Sequence, residues 1–203
     1  MRKVLITLLC AATILFGTAV GASAEGLTHT VVKGDSLWKI AVKYEVGLSE
    51  IKSANPGIKN PDRIYPGDII VIPARDATVS SYEEEVIRLV NEHRRKNGLK
   101  ALSADWQLSR VARYKSQDMK DKKYFSHTSP TYGTPFQMMK SFGISYKSAG
   151  ENIAKGHKTP KAVVDGWMNS QGHRANILNP NFTHIGVGYV KDGNYWTQMF
   201  ISK

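Results

Sequence analysis

Three stretches in the C-terminal half of the chain carry the residue types that do chemistry. They are Ser126-His127, Gly150-Glu151-Asn152-Ile153-Ala154, and Trp167-Met168-Asn169-Ser170-Gln171-Gly172-His173-Arg174-Ala175-Asn176-Ile177-Leu178. They read as standing close to helix ends and turns, where sites are often held. Neutral imidazoles with a carboxylate can bind Zn²⁺ and leave a position for water. The spacing, however, is not a compact zinc motif such as H-E-x-x-H. A lone glutamate in a cleft can act as a general acid on a glycan, but ordinary glycosidases need a second carboxylate at a set separation. Ser170 and His173 suggest a nucleophile and a base, yet no aspartate to orient them is evident and no nucleophile-elbow motif surrounds the serine. Each residue also has a plain structural reading: His127 can cap a loop, Glu151 can bond backbone amides, and His173 can sit at a helix start. Of the other histidines, His93 reads as core-facing, His29 and His157 as exposed, and His184 as lying near a sheet edge.

The elements around these stretches follow from periodicity. Residues 82–97 form a helix, with Val86, Leu89, Val90 and His93 at i, i+3, i+4 and i+7 and Gly98 as the stop. A second helix spans about Ala104 to Lys120, with Leu108, Val111, Ala112 and Met119 inward. Thr134-Pro135 opens a short third helix, and Thr159-Pro160 a fourth with Val163, Val164, Trp167 and Met168 inward. The end is a hairpin: Ile185, Val187 and Tyr189 alternate, residues 191–194 turn, and Tyr195 to Ile201 return. Helices first and strands last argue for antiparallel α/β layers rather than a doubly wound sheet.

With Asn91-Glu92-His93-Arg94 and Phe182-Thr183-His184-Ile185-Gly186-Val187-Gly188, the polar stretches resemble the CAP superfamily, also called SCP. The resemblance runs from about Tyr82 to Lys203 and is nearest the bacterial, cysteine-free branch. It implies an α-β-α sandwich with a wide cleft carrying two histidines and two acids. The motifs place the histidines at His127 and His173 and the first acid at Glu151; the second acid falls at Ser170. Asp165 is no replacement, because five residues of helix set it about 140° around the axis from Ser170. The tetrad is thus a triad here, unless the chain leaves helical geometry after Asn169. The resemblance makes His127, Glu151 and His173 the candidate catalytic residues, and His127 and His173 the candidate ligands of a zinc ion in the cleft.

The N-terminal part reads as strand, helix, helix, strand. Thr30-Val31-Val32 is a strand, and Asp35 or Ser36 caps a helix with Leu37, Ile40, Ala41 and Tyr44 on one face. Ser49 caps a second helix stopped by Asn55-Pro56-Gly57, and Ile69 to Ile72 form a strand stopped by Pro73. Thr30 to Ala41, Asn55-Pro56, Ile64-Tyr65-Pro66-Gly67-Asp68 and Ile72-Pro73 closely resemble the LysM module. That resemblance implies a βααβ fold binding polymers of N-acetylglucosamine, such as peptidoglycan or chitin. It places the glycan on Gly34, Asp35, Ser36 and Leu37 and on Ile64, Tyr65 and Pro66. Loop backbone groups there can bond the N-acetyl amide, while Leu37, Ile64 and Tyr65 can pack on sugar faces.

Arg2 and Lys3, the apolar run Val4–Val20 and Ala22-Ser23-Ala24 read as a secretory signal peptide over residues 1–24. Cys10 lies inside that run, so the exported chain has no thiol for a disulfide or a thiolate zinc site. The formal charge is +11, and +9 once Arg2 and Lys3 are removed. Outside a cell this favours anionic wall polymers as well as glycan; no recognition helix, aromatic sheet motif or zinc finger supports nucleic acid. A hydrophobic content of 41% argues against a wholly disordered chain. No membrane span is expected after signal cleavage.

The organisation expected is therefore α/β: a signal peptide (1–24), a LysM domain (28–73), a linker (74–81) and a CAP domain (82–203). An eight-residue linker spans at most ~26 Å, so the second domain stays close to whatever the first one binds. The expected protein is secreted, associated with the bacterial cell wall through peptidoglycan, and presents a His/Glu/His cleft. Two alternatives stand beside it: a wall hydrolase or metal-dependent protease using the cleft, and a non-catalytic module for lipid, peptide or metal.

Overall fold

The computed structural model describes residues 26–203. The expected signal peptide, its cleavage site and Cys10 lie outside the described residues. No helix among the described residues is long and apolar enough to cross a membrane.

The N-terminal domain is β1 (Thr28–Thr30), α1 (Leu37–Lys43), α2 (Leu48–Ala54) and β2 (Ile69–Val71), with β1 and β2 antiparallel. Its core is Val31, Leu37, Ile40, Ala41, Val46, Ile51, Ile70 and Ile72. Ser36 caps α1 by accepting from the Lys39 amide. Three details depart from expectation. β1 begins two residues earlier than Thr30. The cap position of α2 is Gly47, and Ser49 instead accepts from Arg110 of the next domain. His29 is buried rather than exposed, held between the Tyr44 hydroxyl at 3.1 Å and Asp35 at 2.8 Å. Asn55 does more than stop α2. Its side chain bonds Ile51 O and both backbone groups of Val71, tying the helix to β2 in place of a third strand.

α3 (Ala77–Lys96) starts five residues earlier than the spacing predicts. Asp76 accepts from the Thr78 and Val79 amides and so nucleates the first turn. The linker expected over 74–81 thereby shrinks to residues 74–76, a reach of about 10 Å. Across this short tether, Arg110 grips Glu50 with two bonds of 2.8 and 2.9 Å and lies over the rings of Tyr114 and Phe142.

The C-terminal domain continues with β3 (Ser103–Ala104), α4 (Trp106–Asp121), α5 (Pro135–Ser141), β4 (Ser148–Lys155), α6 (Pro160–Met168), α7 (Gln171–Ile177), β5 (His184–Val190) and β6 (Tyr195–Ser202). The sheet order is β3-β5-β6-β4, with β3 parallel to β5 and the other pairs antiparallel. Ile185, Val187, Tyr189, Trp196 and Phe200 face α3 and α6 in one core with Val86, Val90, Val163 and Trp167. Met199 and Ile201 face α4 with Leu108, Val111 and Ala112. This is the expected α-β-α sandwich. Gly186 and Gly188 fall on the α4 face, where a Cβ on Gly188 would stand 2.1 Å from the backbone of Ala112 and Arg113. The two glycines let α4 lie directly on the sheet.

Two elements were not foreseen. β4 runs through the Gly150–Ala154 stretch, which the sequence had placed near a turn, and α7 follows α6 after a break. α6 ends at Met168, and Ser170 is extended, with φ −103° and ψ 121°. The chain does leave helical geometry there. Arg94 is a further surprise, since the spacing points to His93 as the inward residue of that turn. Arg94 is only 1% exposed and donates to the carbonyls of Lys100, Ile177 and Asn179, clasping the chain that leaves α7.

Candidate functional site

β4 is an edge strand, so side chains from both layers can meet at its outer side. Glu151 stands opposite Met199 and therefore points to the α4 layer. Its side chain is 2% exposed. His127 comes from the loop after α4 and places Nδ1 2.7 Å from Glu151 Oε1. Its side chain is 53% exposed, so the pair joins a wet imidazole to a dry carboxylate. Glu151 Oε2 is buried and has no hydrogen-bond partner among the described residues. Burial pushes the Glu151 carboxyl above the usual carboxylate range, against the opposing pull of the His127 bond and the Lys115 charge.

His173 enters from α7 on the other layer. Asn152 donates to His173 O at 3.1 Å and to Gln198 Oε1 at 3.0 Å. Asn176 donates to Glu151 O and to Asn152 Oδ1, so α7 is sewn to β4 by amide side chains. Gly150 makes room for this seam: a Cβ there would stand 3.1 Å from Asn176 Oδ1. The His173 ring bonds neither His127 nor Glu151. Burial first, and then the like charge of His127, lower its affinity for a proton. Ser170 is half-buried and its side chain caps nothing. Asp165 pairs with Lys161 at 2.6 Å on an outer face and supplies no second acid.

The structure thus brings two of the three expected residues into contact and leaves the third nearby. Nδ1 of His127 bonds Glu151 and leaves Nε2 without a partner among the described residues, the His173 ring bonds neither, and no group of three His, Cys, Asp or Glu among the described residues is close enough to hold an ion. The zinc pair His127 and His173 remains an expectation from the family resemblance, and no chemistry is routed through a metal.

On the N-terminal domain, the two expected glycan loops lie side by side. Val31 exchanges backbone bonds with Gly67 and Asp68 at 2.9 Å. Gly34 turns the first loop at φ +95°, and Lys39 Nζ donates to its carbonyl at 2.7 Å. Leu37 is corrected: at 1% exposure it is core, and a sugar face cannot reach its side chain. Asp35 accepts from the Val32 amide and bonds His29, while Ser36 serves as a helix cap, so both shape the loop. Ile64 is half-buried against the core. Tyr65 is 63% exposed and Pro66 is also exposed. Ile64 and Tyr65, but not Gly34–Leu37, line a groove of about 580 Å³ with Ile58, Lys59, Asn60 and Arg63. Trp38 stands 52% exposed, a flat apolar surface that periodicity alone would assign to the scaffold.

Sequence reasoning missed Lys115 and Asp118 beneath the His127 loop and gave no role to Asn152 and Asn176. A signal for Lys115 was present: it sits four residues after Val111 and four before Met119, on the apolar face of α4. A charge at such a position is either misplaced or held by partners.

Comparison with known proteins fits this geometry. The model of the cysteine-rich secretory protein family, CAP, matches residues 87–201, and the LysM domain model matches residues 29–73. The chain belongs to the cysteine-rich secretory protein (CAP) family and carries a LysM domain ahead of the CAP domain. It is 69% identical over 127 residues to the uncharacterized protein YkwD of Bacillus subtilis (strain 168), an alignment covering 63% of this chain and 49% of that protein. It is 41% identical over 170 residues to the uncharacterized membrane protein YlbC of the same organism, covering 79% of this chain and 49% of YlbC. The chain spans about half the length of these curated relatives. Among solved structures, an extracellular protein containing an SCP domain from Bacillus anthracis str. Ames superposes with a TM-score of 0.60 at 36% identity, over 68% of this chain and 47% of that one.

Proposed function

We propose that this protein is exported, is held on peptidoglycan by its LysM domain, and offers the His127–Glu151 pair of its CAP domain to a wall-derived ligand. The LysM domain supports binding to N-acetylglucosamine polymers and association with the cell wall. Export is supported by the N-terminal sequence pattern and by the extracellular description of the Bacillus anthracis relative. A formal charge of +9 on the exported chain adds attraction to anionic wall polymers.

The observation that carries the site reading is the half-exposed His127 ring, held 2.7 Å from the buried Glu151 carboxyl. The outward ring nitrogen of His127 can bond amide and hydroxyl groups, which peptidoglycan stems and sugars supply. Calorimetric titration of soluble peptidoglycan fragments into a chain starting at residue 25 tests this. Binding by wild type that is retained in a LysM-deleted chain and lost in Glu151→Gln supports it; equal binding by Glu151→Gln contradicts it.

A second reading, wall hydrolysis, is favoured by one observation. A carboxyl pushed up by burial beside an imidazole is poised for acid–base work. Against a two-carboxylate glycosidase stand Ser170 in the second acid's place and Asp165 on an outer face. Hydrolysis requires wall fragments to lose mass on incubation with wild type and not with Glu151→Gln.

A further inference from the structure

The His127–Glu151 pair stands on a buried network that ligand contact does not use. Lys115 lies on the sheet-facing side of α4 and is 1% exposed. Its ammonium donates to Ser126 O and His127 O at 2.8 Å each and to the Tyr124 hydroxyl at 3.1 Å. Three donors meet three acceptors. Tyr124 in turn donates to Asp118 Oδ2 at 2.6 Å. Asp118, one turn along α4, also accepts from Ser129 Oγ at 2.7 Å and Thr131 Oγ1 at 2.5 Å. Ser129 and Gly133 close the segment with reciprocal backbone bonds of 2.8 and 2.9 Å. The loop from Tyr124 to Gly133 is thus pinned from below at five residues, all to two side chains of one helix.

Stability alone does not ask for a lysine here. The neighbouring face of α4 is apolar, and an apolar residue of similar volume would avoid desolvating an ammonium. Burial does weaken proton binding by Lys115, with Glu151 and Asp118 opposing it. What the ammonium supplies is geometry. The His127 ring is half in water and makes a single bond within the described residues, to Glu151. A ring on a loop holds one orientation only if its backbone is fixed, and Lys115 fixes the His127 carbonyl itself.

We infer that Lys115, braced by Asp118 through Tyr124, is the positioning residue of the cleft: it sets the His127 backbone so that Nδ1 meets Glu151 and Nε2 is left to the ligand. This rests on the ligand reading for its meaning but not for its test. Ring nitrogen–proton correlations of the histidines, recorded on a chain starting at residue 25 at about pH 8, report the tautomer. In wild type, His127 is expected to carry its proton on Nδ1 and to donate it to Glu151 Oε1. In Lys115→Met, the His127 pattern is expected to move to the Nε2-protonated form of a free histidine, while His157 and His184 stay in place. An unchanged His127 pattern in a folded Lys115→Met chain overturns the inference. If that variant does not fold, Tyr124→Phe replaces it, since it removes the brace and leaves Lys115 its two carbonyls. A displaced His127 pattern then supports the inference, and an unmoved one overturns it. Failure of the ligand reading shows up separately, as fragment binding indifferent to Glu151→Gln.

Discussion

At the scale of single residues, the buried carboxylates decide the behaviour. Glu151→Gln keeps the side chain's shape and the acceptor for His127 but turns the orphaned Oε2 into a donor. Folding is expected to be unharmed, because the His127 contact is kept and burial already disfavours the charged carboxyl, with the melting temperature equal or higher. Fragment affinity is expected to fall at least about tenfold, the worth of one hydrogen bond to a charged group. A variant that unfolds would show that Glu151 serves the fold instead. Glu83 carries a different prediction. Burial, opposed by Arg113 and the Tyr189 amide, pushes its carboxyl up to about 7 from an ordinary 4.5. A carboxyl raised in the folded state contributes stability that is complete below the unfolded value and is lost as pH rises through the folded one. Urea denaturation is therefore expected to find the chain less stable at pH 8 than at pH 5, by at most about 3 kcal/mol. Glu83→Gln should flatten that dependence, and an unaltered slope would assign it elsewhere.

At the scale of elements, the helices with a clean apolar stripe were legible and the pieces at the site were not. Leu108, Val111, Ala112 and Met119 announced α4, and Thr134-Pro135 announced α5, which the structure shows to open on a Thr134–Gln137 capping box. β4 could not be read because Gly150 to Ala154 are covered on both faces, which erases the alternation of a half-buried strand. α7 is seven residues long with no side-chain cap, too brief for a periodicity to emerge. The motifs placed His127 and Glu151 on one site, which the fold joins at 2.7 Å. They could not reveal that His173 stands off, because that depends on where the α6–α7 break lands. The Gly186/Gly188 pair offers a direct check on the α4 layer. Gly188→Ala would press a methyl into the Ala112–Arg113 backbone, and an overpacked seam of this kind costs about 1–3 kcal/mol. Chemical denaturation should show a loss at the upper end of that range; a neutral effect would mean that α4 can lift off the sheet freely.

At the scale of the whole molecule, two small cores are joined by a three-residue tether and one ionic clasp. Arg110, with its bidentate hold on Glu50, its bond to Ser49 and its two aromatic neighbours, is the main bond between them. Arg110→Ala is expected to leave each domain folded but to raise the radius of gyration and speed proteolysis between Pro73 and Asp76. An unchanged radius would show that the domains stay docked without it. In the proposed function, a clasped LysM domain would keep bound glycan at a fixed distance from the His127–Glu151 pair, so that anchoring and ligand capture act on the same stretch of wall.

The most direct measurement is a map of amide and side-chain resonances on adding soluble peptidoglycan fragments to the labelled chain. Two separate groups of shifts are expected. One lies around Val32–Ser36 and Ile64–Gly67 in the LysM domain; the other lies around His127, Glu151 and the Asn152–Asn176 seam. Movement confined to the LysM domain, with His127 and Glu151 silent at saturation, would contradict a ligand-receiving cleft and leave the CAP domain without wall fragments as its target.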